Sequence, residues 1–334
     1  MQGIKTFFRL IRLHQWLKNL LLLIPLLASH QLTQSLLWKE VGIAIISFSL
    51  FVVLTFVIGA LLAYPLKLLL DPVFDLAFRK YLNYATLISG VITCFIYLQI
   101  NNLLSFNAFG FSGKYNKFLM SLFNGFLYGI AIMLIIEIIL FILKIHEFDS
   151  YRGLWIFSNI SFLSKALLAG LLIALIEELI FRGAFFSGLY KKTGGFITIL
   201  FTSFVYAAVH FVRYPDLITD TGIGWLTGIK MMPDAFRRFH EWAIMDYFLT
   251  LFIFGILLGL LRLKHKNIAA CIGTHAGIVV LIKIADYFTN RTNSGDFDYL
   301  VSPYNSTYGW ISFYVILLFT IFYFIKLKNK NNNY

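Results

Sequence analysis

Charge is what this chain has least of. Lysine, arginine, aspartate and glutamate make up 13% of its 334 residues, where soluble domains carry about 25%. No stretch between its apolar runs is large and polar enough to form a soluble domain, so the chain reads as one membrane domain. Cysteine is nearly absent. Cys94 and Cys271 both sit in apolar runs, spaced neither as a disulfide framework nor as a metal knuckle. No G-x-S-x-G occurs, which removes the serine-hydrolase elbow. His240-Glu241 opens the word H-E-x-x-H, but position 244 is Ile, so the zincin motif fails. Acids are few as well, and the net charge is +12. In a membrane protein that excess meets anionic headgroups and sets topology, so no nucleic-acid partner is expected.

What is present is apolar: 59% of residues are hydrophobic and 18% aromatic. Several runs reach the ~18–20 residues that cross a bilayer, and a lipid-embedded backbone must satisfy its own hydrogen bonds. The fold class is therefore all-α, a polytopic transmembrane helix bundle of about eight or nine helices. Spans are expected at 42–66, 82–104, 118–145, 160–190, 195–212, 243–262, 267–288 and 310–326. A ninth, shorter run at Leu20–Ala28 follows the basic, aromatic segment with Lys5, Arg9, Arg12, Trp16 and Lys18. Lacking a small-x-small cleavage site, it reads as a retained membrane-associated helix. The organisation expected is a lead-in and first helix over 1–40, accessory helices over 41–150, a functional core over 151–290, and a loop, last helix and basic tail over 291–334. Basic residues sit in the very short loops at Lys191-Lys192 and Arg262–Lys266, where the positive-inside rule weighs most.

Inside the span 160–190 lies Leu175-Ile176-Glu177-Glu178-Leu179-Ile180-Phe181-Arg182-Gly183. Each charge at the centre of a spanning helix costs at least ~2.5–3.5 kcal/mol on insertion scales, so three together need a compensating reason. Glu178 and Arg182 are four apart, share a helix face and can pair. Glu177 is rotated by about 100° and has no cation three or four residues away. One acid is neutralised locally; the other is free to act as a base.

Two histidines share the depth of this cluster. Glu177 is thirteen residues before Tyr190, roughly 20 Å along a helix. His210 is fifteen residues after Gly195, roughly 22 Å. Antiparallel neighbours joined near 190–195 therefore bring the two to one level. His275 lies about ten residues from the basic loop ending at Lys266, roughly 15 Å, and reaches the same level in a tilted helix. Two carboxylates and two imidazoles together can hold and activate a water, or hold a zinc ion with an open position.

Glu177-Glu178-x-x-x-Arg182, a following helix ending in His210, and a later His275 resemble the CPBP family over roughly residues 150–290. That family comprises the CaaX prenyl endopeptidases and the bacterial Abi proteins tied to bacteriocin immunity. The resemblance implies hydrolysis of a peptide bond of a membrane-embedded protein or peptide, by a glutamate- or metal-dependent mechanism. Glu177 and His210 match the residues that activate water, His275 the one that stabilises the oxyanion, and Glu178–Arg182 the supporting pair. No cofactor is required by this reading, with zinc as the alternative, and the expected location is the bacterial inner membrane. Two positions depart from the pattern: Tyr206 replaces the usual Phe four before His210, and Val279 replaces the Asn four after His275. The second oxyanion donor is thus missing from its place, leaving Thr274, Asn267 or a backbone N–H as substitutes. A non-catalytic membrane protein on the same scaffold, an immunity or assembly factor, is the alternative that Val279 favours.

Arg12-Leu13-His14-Gln15-Trp16-Leu17-Lys18-Asn19 resembles the opening of the UbiA-type prenyltransferases, over roughly the first 35 residues. Those enzymes hold a diphosphate through magnesium on N-D-x-x-D motifs; Asp71 and Asp75 lack the Asn and the third Asp. Glu137, isolated in an apolar run, reads as structural, either paired with Lys165 or protonated by burial. His14, His30, His146, His240 and His265 read as loop or interface residues, and Gly255-x-x-x-Gly259 as a close helix contact.

Overall fold

The computed structural model describes residues 35–151, 159–215, 222–292, 297–305 and 307–331. The run Leu20–Ala28 and the UbiA-like words lie outside them. The chain divides into two units, Met1–Ser47 and Phe48–Tyr334. The described part of the first is the opening of a single helix.

That helix, α1, runs Ser35–Phe74. It is followed by α2 (Phe78–Ile100) and α3 (Tyr115–Ile142). Next come α4 (Ile160–Glu178), a π-helical turn (Leu179–Phe185) and α5 (Phe186–Val209). A short α6 (Thr227–Ala235), α7 (Met245–His265), α8 (Ala269–Phe288) and α9 (Trp310–Asn331) complete the helices. Among the described residues the only strands are β1 (His146–Phe148) and β2 (Thr289–Arg291), paired antiparallel with His146 opposite Arg291. They clip the end of α3 to the end of α8.

Seven of these stretches are long and apolar enough to cross a membrane. The fourth, Ile160–Val209, is 50 residues long but turns back at Gly194, whose φ of 73° and ψ of 175° break the helix. Glycine adopts this left-handed conformation without a Cβ clash. The described residues therefore make eight such helical legs, within the expected eight or nine. Several boundaries differ from expectation, two of them for a local reason. α1 continues past 66 through Pro65 and Pro72 to Phe74, because in apolar surroundings neighbouring groups re-satisfy what proline frees. α2 ends at Ile100 rather than 104: Asn102 turns left-handed (φ 53°), and Leu103 N–H closes onto the Leu98 carbonyl at 2.8 Å.

α8 is the central helix, with 72% of its apolar window buried against 22% for α1. Gly125 and Gly129 of α3 face Gly273 and Gly277 of α8 in a reciprocal close approach. A Cβ at Gly273 would stand 2.0 Å from the Leu122 carbonyl oxygen, and one at Gly129 2.1 Å from that of Thr274. Small residues four apart are how lipid-embedded helices gain contact without a hydrophobic drive between them. The expected Gly255–Gly259 face also forms: α7 lies against Ser203 and Ile199 of α5. These two contacts fix α5, α7 and α8 around the polar end of α4.

Candidate active site

Glu178 and Arg182 are both fully buried. Arg182 Nη1 donates to Glu178 Oε1 at 3.3 Å, and its Nη2 donates to the Gly255 carbonyl of α7 at 3.2 Å. Its guanidinium lies 4.4 Å from the centre of the Tyr206 ring, a cation–π contact strengthened by the absence of water. The Arg182 carbonyl accepts from Arg262 Nε at 2.9 Å. One arginine, placed by the π-helical turn, thus ties α4, α5 and α7 together. Such turns recur at functional sites, where they redirect a side chain.

Glu178 Oε1 has a second partner: His275 Nδ1 lies 2.9 Å away. A carboxylate paired with arginine accepts, so Nδ1 carries the proton. His210 is fixed in the same sense, because its Nδ1 lies 2.7 Å from the Tyr206 carbonyl, which can only accept. Both imidazoles therefore turn Nε2 towards Glu177. His210 Nε2 is 3.8 Å and His275 Nε2 3.9 Å from Glu177 Oε2. These gaps exceed a direct hydrogen bond, and that oxygen is buried without a hydrogen-bond partner among the described residues. The structure thus brings all five predicted residues together.

Two cavities meet here. One of about 230 Å³ is lined by Glu177, His210, His275 and Tyr308, with Lys283 and Asp286 further along. His275, Ile278, Val279, Ile282, Lys283 and Asp286 line it from one face of α8, in the i, i+3, i+4 order of a helix. The other, about 280 Å³, shares Glu177 and His210 but is chiefly apolar, walled by Val52 and Phe56 of α1, Leu87 of α2 and Phe181 and Val205. Glu177 is approachable from both.

Several expectations are corrected. Thr274 is buried and does not line either cavity. Asn267 Oδ1 accepts from the Ala269 N–H at 3.1 Å at the start of α8. Neither replaces the donor absent at Val279. Glu137 does not pair with Lys165. Its Oε2 bonds His146 Nδ1 at 2.9 Å, both side chains being buried, so His146 is a core residue rather than a loop one. Asp71 is occupied by Lys67 Nζ at 2.6 Å and the Tyr81 hydroxyl at 2.9 Å. Among the described residues no three His, Cys, Asp or Glu side chains are arranged to hold a metal ion. Tyr308, Lys283 and Asp286 went unremarked as site residues. The α8 pair was detectable from its register with His275; Tyr308 carries no such pattern.

Residues 159–281 match the family model for type II CAAX prenyl endopeptidases, Rce1-like. Neither the curated proteins nor the solved structures contain a match. Glu177, Glu178, Arg182, His210 and His275 all fall inside the matched segment. Over this segment the chain is similar to the type II CAAX prenyl endopeptidases, which agrees with the CPBP resemblance of its motifs.

Proposed function

We propose that the chain is an intramembrane endopeptidase that uses a water activated by Glu177 and His210. The observation that carries this is the convergence of two imidazole Nε2 atoms, from α5 and α8, on one unpartnered carboxylate oxygen beside a cavity. A water in that cavity can reach Glu177 Oε2 and His210 Nε2 together. Its oxygen adds to the substrate's peptide carbonyl carbon, and the carbonyl π pair becomes the oxyanion lone pair. The water proton passes to Glu177, while His210 Nε2 accepts the other hydrogen in a hydrogen bond. On collapse the C=O bond re-forms, the C–N bond breaks with its electron pair on nitrogen, and Glu177 returns the proton to that amine.

His275 stabilises the oxyanion through Nε2. With Nδ1–H held on Glu178, donation from Nε2 requires the doubly protonated imidazolium. Glu177 and Glu178 then balance Arg182 and His275, and the cluster carries no net charge, as a dry site demands. The chiefly apolar second cavity suits the membrane-embedded part of a protein or peptide substrate, and the bacterial inner membrane is the proposed location.

The test compares membrane-peptide termini in cells carrying wild type and Glu177→Ala. Termini present only with wild type support hydrolysis; identical sets would remove it. Val279 on the cavity wall favours a second reading, a non-catalytic immunity or assembly factor, in which Glu177→Gln keeps the full biological effect.

A further inference from the structure

An oxyanion site with one histidine donor is half built. Next to His275 on the α8 face of the cavity stand Ile278 and Val279, whose side chains carry no donor. The cavity lining also includes a residue from outside the family segment, in the loop before α9. There Tyr308 lines the same cavity as Glu177, His210 and His275.

The loop around Tyr308 is built to hold it. Asn305 Oδ1 accepts from the backbone N–H of both Thr307 and Tyr308, at 2.8 and 3.1 Å. The Tyr308 carbonyl accepts from Ser302 N–H at 2.7 Å. Thr250 of α7 donates to the next carbonyl, that of Gly309, at 2.9 Å. Gly309 has a φ of 154°, and a Cβ there would stand 2.6 Å from Val301 Cα, so the strand-like crossing accepts only glycine. The Tyr308 ring stacks on Tyr247 with centroids 4.5 Å apart and planes 12° from parallel. The ring is fixed at its backbone and on its face, and its hydroxyl has no hydrogen bond to any described residue. Rigid support of this kind is what a preorganised donor needs.

We infer that the Tyr308 hydroxyl is the second oxyanion donor, filling from the loop before α9 the role that Val279 cannot fill; the inference rests on the hydrolase reading above. Tyr308 gives a hydrogen bond to the oxyanion and keeps its proton throughout, so the proton balance already described is unchanged. Burial raises its hydroxyl well above the ordinary phenol range, and the nearby Tyr247, Glu177 and Asp286 push the same way. It therefore keeps its proton, and remains a donor, around neutral pH.

The experiment uses the full chain in lipid vesicles. Its substrate is the peptide whose cleavage disappears in Glu177→Ala cells, synthesised with a fluorophore–quencher pair. Tyr308→Phe keeps the ring stack and removes only the donor; kcat is expected to fall about 10²–10³-fold with KM nearly unchanged. Val279→Asn in the Tyr308→Phe background is expected to recover part of that loss, which a purely structural role for Tyr308 would not allow. A Tyr308→Phe rate within twofold of wild type, a loss confined to KM, or a loss that Val279→Asn leaves in full overturns the assignment. Glu177→Gln run alongside separates the two claims: if it abolishes cleavage while Tyr308→Phe does not slow it, only Tyr308 falls. If Glu177→Gln cleaves normally, or no Glu177-dependent peptide exists, the hydrolase reading falls and takes Tyr308 with it.

Discussion

Glu178 and His275, 97 residues apart in the chain, are joined by a 2.9 Å hydrogen bond between Oε1 and Nδ1. The acid that the motif pairs with Arg182 is therefore also the residue that orients the later histidine. On the proposed mechanism Glu178 is a positioning residue, and its removal is expected to act on fold and chemistry together.

Arg182→Ala leaves a fully buried carboxylate holding only a histidine. Breaking a buried ion pair on one side costs about 3–5 kcal/mol, and thermal unfolding in detergent is expected to show a loss of that order. Arg182→Lys is expected to recover only part of it. A single ammonium cannot reach Glu178 and the Gly255 carbonyl while stacking on Tyr206. A Tm equal to wild type in Arg182→Ala would contradict the buried-pair account.

Glu177 behaves oppositely. Its Oε2 makes no hydrogen bond to a described residue, so replacing it breaks no direct contact that holds the fold. Glu177→Gln and His210→Ala are expected to keep the wild-type Tm within a degree or two, on the order of 0.5 kcal/mol or less, while peptide cleavage drops to background. Size-exclusion and melting profiles beside the cleavage assay check both halves.

The α3–α8 contact is tested by volume alone. Gly273→Val places branched carbons where a Cβ already meets the Leu122 carbonyl oxygen at 2.0 Å. Overpacking of this sort costs about 1–3 kcal/mol or more, read as a lower Tm or loss of folded protein. Gly224→Ala, with nothing within 4 Å of the added Cβ, is expected to be silent. Equal stability of the two variants would show that the helices do not approach as described.

Glu137 and His146 form a second buried acid–imidazole pair at 2.9 Å, remote from the motif residues in sequence. Glu137→Ala leaves His146 Nδ1 without its acceptor and is expected to destabilise by about 1–3 kcal/mol. Glu137→Gln, which retains an acceptor, costs less. Cleavage by the folded fraction is expected to remain, since this pair does not line the cavity. Abolished cleavage in a well-folded Glu137→Gln protein would mean that the pair serves the reaction.

Most of the bundle was legible because apolar length is a strong signal and the loops are short. The depth argument placing Glu177 beside His210 worked because Gly194 turns the chain where the count began. What sequence could not supply was long-range choice among polar partners. Glu137 had Lys165 in view but took His146, which the β1–β2 clip delivers to it. The Gly125–Gly129 and Gly273–Gly277 spacings were present in the sequence, yet nothing there told which helix faced which. Tyr308 escaped for a different reason: its placement depends on Asn305, Gly309 and Tyr247 acting together, and no periodicity announces a loop.

The most direct measurement is cleavage by purified protein in vesicles, comparing wild type with Glu177→Gln on the peptide identified from cell termini. The account predicts a single new terminus with wild type and none with Glu177→Gln, the two proteins melting alike. Cleavage at an undiminished rate by a well-folded Glu177→Gln would contradict it.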